Sequence, residues 1–222
     1  MSVFRHEIKH EITAADAIEL RSRLRVVAKP DPHGACYRIR SLYFDDLYDT
    51  ALQEKVSGVN RREKFRIRYY NGDNSYIRLE KKSKINGLCQ KQSVRVEKEQ
   101  VQALLAGDTG WMQTAGNALL SEFRQKITQN RLRPKVIVDY TRTAFVFGPG
   151  NVRVTLDSEL RTAPKPGDFL NPDCLTVPVI DVPTILEVKW DAFLPELIRD
   201  AVQLDRCRPG AFSKFANCCC YD

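Results

Sequence analysis

The sequence predicts an α+β fold in which an antiparallel sheet dominates and short helices flank it. Eight segments alternate apolar and polar residues, namely 3–12, 36–44, 63–70, 75–84, 91–98, 135–147, 151–157 and 179–190, as half-buried strands do. Their order, strand, helix, many strands, helices, strands, lacks the regular βα alternation of a parallel sheet. At 222 residues and 43% hydrophobic content, the chain can build one sizeable core and is short for two, so residues 1–222 are read as a single domain.

The elements follow in order. After the segment 3–12, Thr13 with Asp16 has the form of a capping box. It opens a helix through Arg25 whose apolar stripe is Ala17, Ile18, Leu20 and Leu24. Asn71-Gly72 joins the segments 63–70 and 75–84, and Asn86-Gly87 joins 75–84 to 91–98, both suited to tight hairpins. Lys98–Leu105, Ala115–Gln129 and Leu194–Leu204 read as short amphipathic helices. Gly148-Pro149-Gly150 is a turn, and Pro164 to Pro172 reads as a surface loop.

Lys and Arg number 35 against 28 Asp and Glu, a net charge of +7, and the pI of about 9.1 points to anionic partners. No stretch approaches the roughly 18 apolar residues of a membrane span, and the start MSVFRHEIKHEI has no apolar signal core. Seven scattered cysteines without a CxxC pair read as free thiols. The expectation is a soluble, cytoplasmic protein.

Residues two apart in a strand share a face, so the numbering locates the charge. Arg5, Glu7 and Lys9 share one face. Arg66 and Arg68 oppose Phe65, Ile67 and Tyr69, and Arg78, Glu80, Lys82 and Lys84 oppose Ile77 and Leu79. Lys91, Arg95 and Glu97 oppose Val94 and Val96; Tyr140 and Arg142 share a face; Arg153 opposes Val152 and Val154; Glu187 and Lys189 oppose Leu186 and Val188. These faces hold twelve cations and four carboxylates, a net of +8, so the rest of the chain sums to −1. A solvated face intersperses its signs, because close like charges repel by about 1 to 4 kcal/mol. A sheet closed with this face inward gives a β-barrel tunnel with a polar, basic lumen that takes a polyanion. The carboxylates among the cations suit a divalent ion that bridges to phosphate.

Other chemistries fit less well. His6-Glu7-Ile8-Lys9-His10 matches H-E-x-x-H, but that zinc site needs a helix. In a strand His6 and His10 stand about 13 Å apart and cannot share an ion. There is no G-x-x-x-x-G-K-[ST] loop. Basic and aromatic residues mix at Arg66–Tyr70, yet the basic face has no aromatic RNA-binding signature, so no nucleic-acid partner is expected.

Taken together, Arg5-x-Glu7-x-Lys9, Ser41-Leu-Tyr-Phe-Asp45, Phe65-Arg-Ile-Arg68, Leu79-Glu-Lys-Lys-Ser83, Tyr140-Thr-Arg-Thr-Ala-Phe145, Val152-Arg-Val-Thr-Leu-Asp157, Ile185-Leu-Glu-Val-Lys189 and Phe212-Ser-Lys-Phe215 resemble the VTC domain. This is the catalytic domain of the vacuolar transporter chaperone polyphosphate polymerases, within the triphosphate tunnel metalloenzymes, also called CYTH-like. The likeness spans about residues 4–215. It implies a tunnel that binds ATP with Mn²⁺ or Mg²⁺ and passes the γ-phosphoryl group to growing polyphosphate.

By position, the resemblance assigns phosphate-gripping roles to Lys9, Arg66, Arg68, Lys82, Arg142, Arg153 and Lys214. Tyr140, Ser213, Lys189, Arg5, Arg78 and Lys84 are taken as substrate-binding, with Lys91 or Arg95 matching one further tunnel lysine. Glu187 matches the metal-binding glutamate, and Glu7 is taken as its companion. Two positions depart from the pattern. Arg5 stands where the wider superfamily has the first carboxylate of Glu-x-Glu-x-Lys, which leans toward single-metal chemistry. Lys84 stands where the eukaryotic polymerases tend to have His. Without an SPX domain or membrane segment, inositol-phosphate control and coupled translocation are not expected. A triphosphatase in the same tunnel and a non-catalytic polyphosphate-binding module are the alternative readings.

Overall fold

The first strand, β1 (His6–Ile12), runs into helix α1 (Ala14–Val27) through Thr13. In this computed structural model, which describes residues 5–163, 165–204, 208–210 and 212–220, the side chains of 208 and 209 excepted, that junction is a full capping box. Asp16 N donates to Thr13 Oγ1 at 3.2 Å and Thr13 N to Asp16 Oδ2 at 2.9 Å. Ala17, Leu20 and Leu24 are buried as expected, but Ile18 is 65% exposed. One residue beyond Ala17 the helix has turned about 100° off the buried face.

The chain continues through β2 (Lys29–Pro30), β3 (Cys36–Asp45), α2 (Thr50–Val56), β4 (Arg62–Tyr70), β5 (Asp73–Ile85) and β6 (Leu88–Val96). Next come α3 (Lys98–Leu105), α4 (Trp111–Thr114), α5 (Ala118–Asn130), β7 (Arg133–Phe147), β8 (Val152–Ala163), β9 (Val177–Pro178), β10 (Thr184–Trp190), α6 (Glu196–Ala201), β11 (Arg208–Pro209) and α7 (Lys214–Cys219). Two-residue turns make the β4–β5 and β5–β6 hairpins. Asn71 and Gly72 (φ 53° and 74°) and Asn86 and Gly87 (φ 50° and 81°) hold the left-handed backbone such turns demand.

The strands form one antiparallel sheet in the order β11-β1-β10-β8-β7-β3-β4-β5-β6, with β2 on β7 and β9 on β8. The sheet curls until its sides meet at a bridge, where Arg5 N donates to Cys89 O at 3.2 Å and Cys89 N to Arg5 O at 3.4 Å. Among the described residues no helix is long and apolar enough to cross a membrane.

Two apolar layers cover the outside of the curl. Ile67 and Leu79 pack with Phe123 of α5 and Val101 of α3. Leu156, Leu186 and Val188 pack under α1 and Ile198 of α6. On the inside, α7 closes over an apolar stretch of wall, with Phe215 stacked on Tyr43 at 5.0 Å and Cys218 among Val138, Tyr140 and Leu160.

Several boundaries differ from the sequence reading. β8 runs to Ala163 because left-handed Glu159 (φ 54°) forms a bulge where the β7 register shifts, and the alternation resumes beyond it. The segment 179–190 splits: left-handed Asp181 (φ 57°) and Pro183 precede β10, and β9 is separate. Gly116 (φ 61°) and the Asn117 cap delay the helix expected from Ala115 to α5 at Ala118, and the short α4 precedes it. Pro195 delays α6 to Glu196. The loop expected at the surface is anchored instead. Phe169 is fully buried against Tyr69, Arg40 donates to the Asn171 and Pro172 carbonyls, and Pro164 lies outside the described residues.

Candidate functional site

The concave face of the sheet encloses a cavity of about 270 Å³. Strand alternation delivers its lining: the apolar partners of each charged residue are spent on the outer layers, so the charges converge on the lumen. β1 supplies Glu7 and Lys9; β4 supplies Lys64, Arg66 and Arg68; β5 supplies Lys82 and Lys84; β7 supplies Tyr140 and Arg142. Arg153 comes from β8, and Glu187 and Lys189 come from β10. Ser213 and Lys214 enter at the start of α7, where Ser213 Oγ accepts from Ala216 N at 3.3 Å.

Carboxylates organise these cations. Glu80, 1% exposed, accepts from Arg66 Nε and Lys91 Nζ, each at 2.8 Å, with Arg68 Nη1 at 3.9 Å. Asp157 takes a bidentate grip from Arg142 at 2.6 and 2.7 Å and the Lys214 ammonium at 2.6 Å. Glu7 faces Lys82 at 2.8 Å, Lys9 at 3.4 Å and Lys189 at 3.5 Å. Glu187 contacts Lys189 and lies 3.7 Å from Lys9. At the edge, Arg153 donates to Tyr37 Oη at 2.6 Å and pairs with Asp31 at 2.8 Å.

The field is strong enough to move titrations. Burial and Glu187 raise the Glu7 pKa, but Lys82, Lys189 and Lys9 overcome them and hold it at about 2. Against the same burial penalty, Arg142 and Lys214 hold Asp157 at about 2, and Arg66, Arg68 and Lys91 hold Glu80 well below the carboxylate range. Glu187 is likewise held low, by Lys189, Lys9 and Lys82. Burial raises the Tyr43 phenol, yet Arg66, Lys64 and Arg68 pull it down to about 7, with Arg66 Nη1 donating to its oxygen at 2.8 Å. Burial depresses Lys64 to about 8, helped by Lys82, Lys9 and Arg66 and resisted by Tyr43.

Of the residues singled out from sequence, Lys9, Arg66, Arg68, Lys82, Arg142, Arg153, Lys214, Lys84, Lys91, Tyr140, Lys189, Ser213, Glu187 and Glu7 line the one cavity. Three lie outside its lining. Arg5 turns to Asp191 (2.7 Å) and the Asn151 carbonyl. Arg78 donates to Ser93 Oγ at 2.7 Å, and Arg95 lies over the Tyr76 ring and beside Glu97. Sequence reasoning missed Lys64, Tyr43, Tyr37 and the organising role of Asp157. Lys64 shares its parity with Arg66 and Arg68, so the signal for it was present.

The donor set fits a hard divalent cation. Glu7 and Glu187 are ionised, face the lumen and offer only oxygen; Glu80 and Asp157 are committed to arginines. Among the described residues no three His, Cys, Asp or Glu side chains cluster to cage an ion. An ion such as Mg²⁺ takes one or two carboxylates and completes its shell with phosphate oxygens and water. His6 and His10 lie on strand β1, with His6 stacked on Trp190.

The VTC domain sequence profile matches residues 4–221. No curated protein matches the chain. Among solved structures, a candidate adenylate cyclase from Bacillus halodurans is similar at 12% identity and a TM-score of 0.53, covering 85% of this chain and 81% of its own. A candidate adenylyl cyclase from Hippeastrum, described as having a dominant triphosphatase activity, is similar at 14% identity and a TM-score of 0.52. It covers 89% of this chain and 83% of its own. These two likenesses establish a common tunnel fold.

Proposed function

The chain belongs to the VTC domain family, and we propose that it is a metal-dependent polyphosphate polymerase that transfers the γ-phosphoryl group of ATP to a growing polyphosphate chain in the tunnel. One observation carries this reading: lysines and arginines from opposite walls converge on a lumen that also presents two ionised, lysine-flanked carboxylates, Glu7 and Glu187. Phosphoryl transfer asks chiefly for positioning and charge neutralisation.

In this mechanism Arg66, Arg68 and Arg142 present planar forks to phosphate oxygens, and Lys9, Lys82, Lys189 and Lys214 supply point charges. Their carboxylate partners fix them in place before substrate arrives, so little reorganisation remains for the reaction. Glu187 and Glu7 would hold Mn²⁺ or Mg²⁺, which would supply neutralisation of phosphate charge. A terminal oxygen of phosphate or polyphosphate attacks the γ-phosphorus in line. The bond from that phosphorus to the β–γ bridging oxygen breaks, and ADP leaves. The acceptor oxygen is already anionic, so no covalent intermediate or protein base is needed. The free thiols among the described cysteines suit a reducing, cytoplasmic setting.

A second reading, a triphosphatase with water as acceptor, is favoured by the activity described for the Hippeastrum protein of similar fold. Incubation with ATP and Mn²⁺ followed by a polyphosphate-stained gel separates the readings. Long chains and ADP support polymerisation; orthophosphate alone supports the triphosphatase. Binding without turnover leaves a polyphosphate-binding module, and competition by nucleic acid at matched salt would point to a different polyanion.

A further inference from the structure

Lys64 on β4 differs from the other lysines paired in the lumen. Lys9, Lys82 and Lys189 face Glu7 or Glu187, Lys91 faces Glu80, and Lys214 faces Asp157. Among the described residues no carboxylate pairs with Lys64. Its ammonium lies over two rings instead, 5.2 Å from the Tyr43 centroid and 5.7 Å from that of Phe215. The carboxylate of Glu63, next to it in the chain, is taken by Lys81 at 2.8 Å and Lys126 at 2.6 Å. The charges around Lys64 are positive. Arg62 and Arg66 flank it on β4, Lys82 sits opposite it in the β4–β5 register, Lys9 comes from β1, and Lys55 comes from α2. Lys64 also lines a second cavity, of about 640 Å³, between α2 and α5, so its side chain borders open space on two sides.

We propose that Lys64 is an acylation site for acyl phosphates, small molecules that carry a phosphoryl group on an activated carboxyl carbon. The cations on either side of Lys64 hold the phosphoryl end, which brings the carbonyl carbon to the amine. Burial and the positive neighbours lower the Lys64 pKa to about 8 from an ordinary 10.5, against the pull of Tyr43. Near neutrality a sizeable fraction is therefore the free amine, the form that attacks carbonyls. One phosphoryl group meets more cations here than it neutralises, so its arrival does not supply the missing counter-charge. In the step itself, the Lys64 nitrogen bonds to the carbonyl carbon and the bond from that carbon to the phosphate oxygen breaks. The electron pair leaves with inorganic phosphate, and the proton lost from nitrogen passes to water. The product is an uncharged amide, so the tunnel loses one positive charge. Acylation rests on the reading of the cavity as a phosphate site and needs no turnover of ATP.

The test treats the wild-type protein with acetyl phosphate and, in parallel, with the phosphate-free donor p-nitrophenyl acetate, and follows each lysine by peptide mass mapping over time. No variant has to fold for it. With acetyl phosphate, Lys64 should be acetylated about tenfold faster than the exposed Lys29 and Lys98. Tripolyphosphate should protect it. Its rate should level off above about pH 8, while the rates at Lys29 and Lys98 keep climbing. The preference should shrink with p-nitrophenyl acetate, which has no phosphoryl group for the cations to hold. Acetylation of Lys64 no faster than of Lys98, a preference that tripolyphosphate leaves intact, or one equal for the two donors would overturn the proposal. ATP turnover is scored separately: Lys64 acetylated in protein that leaves ATP intact retains the acylation site and removes the polymerase reading, and turnover with Lys64 unmodified does the reverse.

Discussion

Lys82 on β5 reaches Glu7 on β1, with its ammonium 2.8 Å from Oε2, although five strands separate β1 from β5 in the order of the sheet. The contact ties together the two sides of the curl next to the Arg5–Cys89 bridge. One carboxylate thus serves closure and charge balance at once.

Acid should therefore loosen the fold. Glu7 titrates at about 2 against an ordinary 4.5, and Asp157 at about 2 against 3.8. Carboxylates with depressed pKa values stabilise the native state fully above their unfolded values and lose that contribution as pH falls toward 2. Denaturant unfolding followed from pH 7 to 3 should stay level down to about pH 5 and then decline, less steeply in Glu7→Gln. An identical slope in the two proteins would contradict the assignment.

Arg66→Ala and Glu187→Ala should each lower turnover of ATP at least about a hundredfold, the scale of removing one preorganised electrostatic group. Arg66 is the better probe of phosphate grip because its guanidinium already touches both Glu80 and Tyr43. Activity staying within a fewfold of wild type, with circular dichroism unchanged, would argue against the central site.

Tyr43 should ionise near neutrality. Its tyrosinate absorbance should rise around pH 7 in wild type and vanish in Tyr43→Phe. In Lys64→Met the rise should shift upward, since one of the cations that stabilise the phenolate is gone. A titration with no component below the ordinary tyrosine range sinks this prediction.

Asp157→Asn should destabilise the fold by about 3 kcal/mol, because Arg142 and Lys214 lose their shared counter-charge. Arg40→Met offers the control. It strips the buried Asp139 of its one buried arginine partner among the described residues, leaving half-exposed Arg38, and should cost comparable stability while tripolyphosphate affinity stays constant. Urea denaturation and titration calorimetry read the two effects separately.

Parity in the numbering made the lumen legible, because Arg66, Arg68, Arg153 and Lys189 each alternate with residues that pack outward, and Lys82 and Arg142 keep the opposite phase to Leu79 and Phe145 on the same strands. The same rule covers Lys64 within the segment 63–70, and reaches Arg62 once β4 begins there. It could not find Tyr43, since β3 from Ile39 to Asp45 is buried on both faces and Leu42, Tyr43 and Phe44 run apolar without a break. Nor does parity say how far along a strand the cavity reaches. Arg78 and Arg95 share the inward phase of β5 and β6, face each other across the hairpin, and still sit past the rim.

Local signals served the helices unevenly. The Thr13–Asp16 box and the Lys98–Leu105 element stand as read. α7 is not among the helices expected from sequence, because six residues with a Cys run carry little periodicity. What defines it is tertiary: Phe215 and Cys218 fill the inner wall that the strands leave apolar. Phe169 likewise turns an apparent loop into core through its contact with Tyr69, a partner a hundred residues away.

Glu7 and Lys9 come from the earliest described strand, and Lys214 from the last described helix. β1 finds its partner only when β10 exists, nearly the whole chain later. During synthesis, then, the ring stays open until almost all of it has emerged, and its crowd of like charges is held apart by geometry rather than by pairing. Chemistry should switch on as a single late event, and a multivalent anion present at that moment should hasten the final closure.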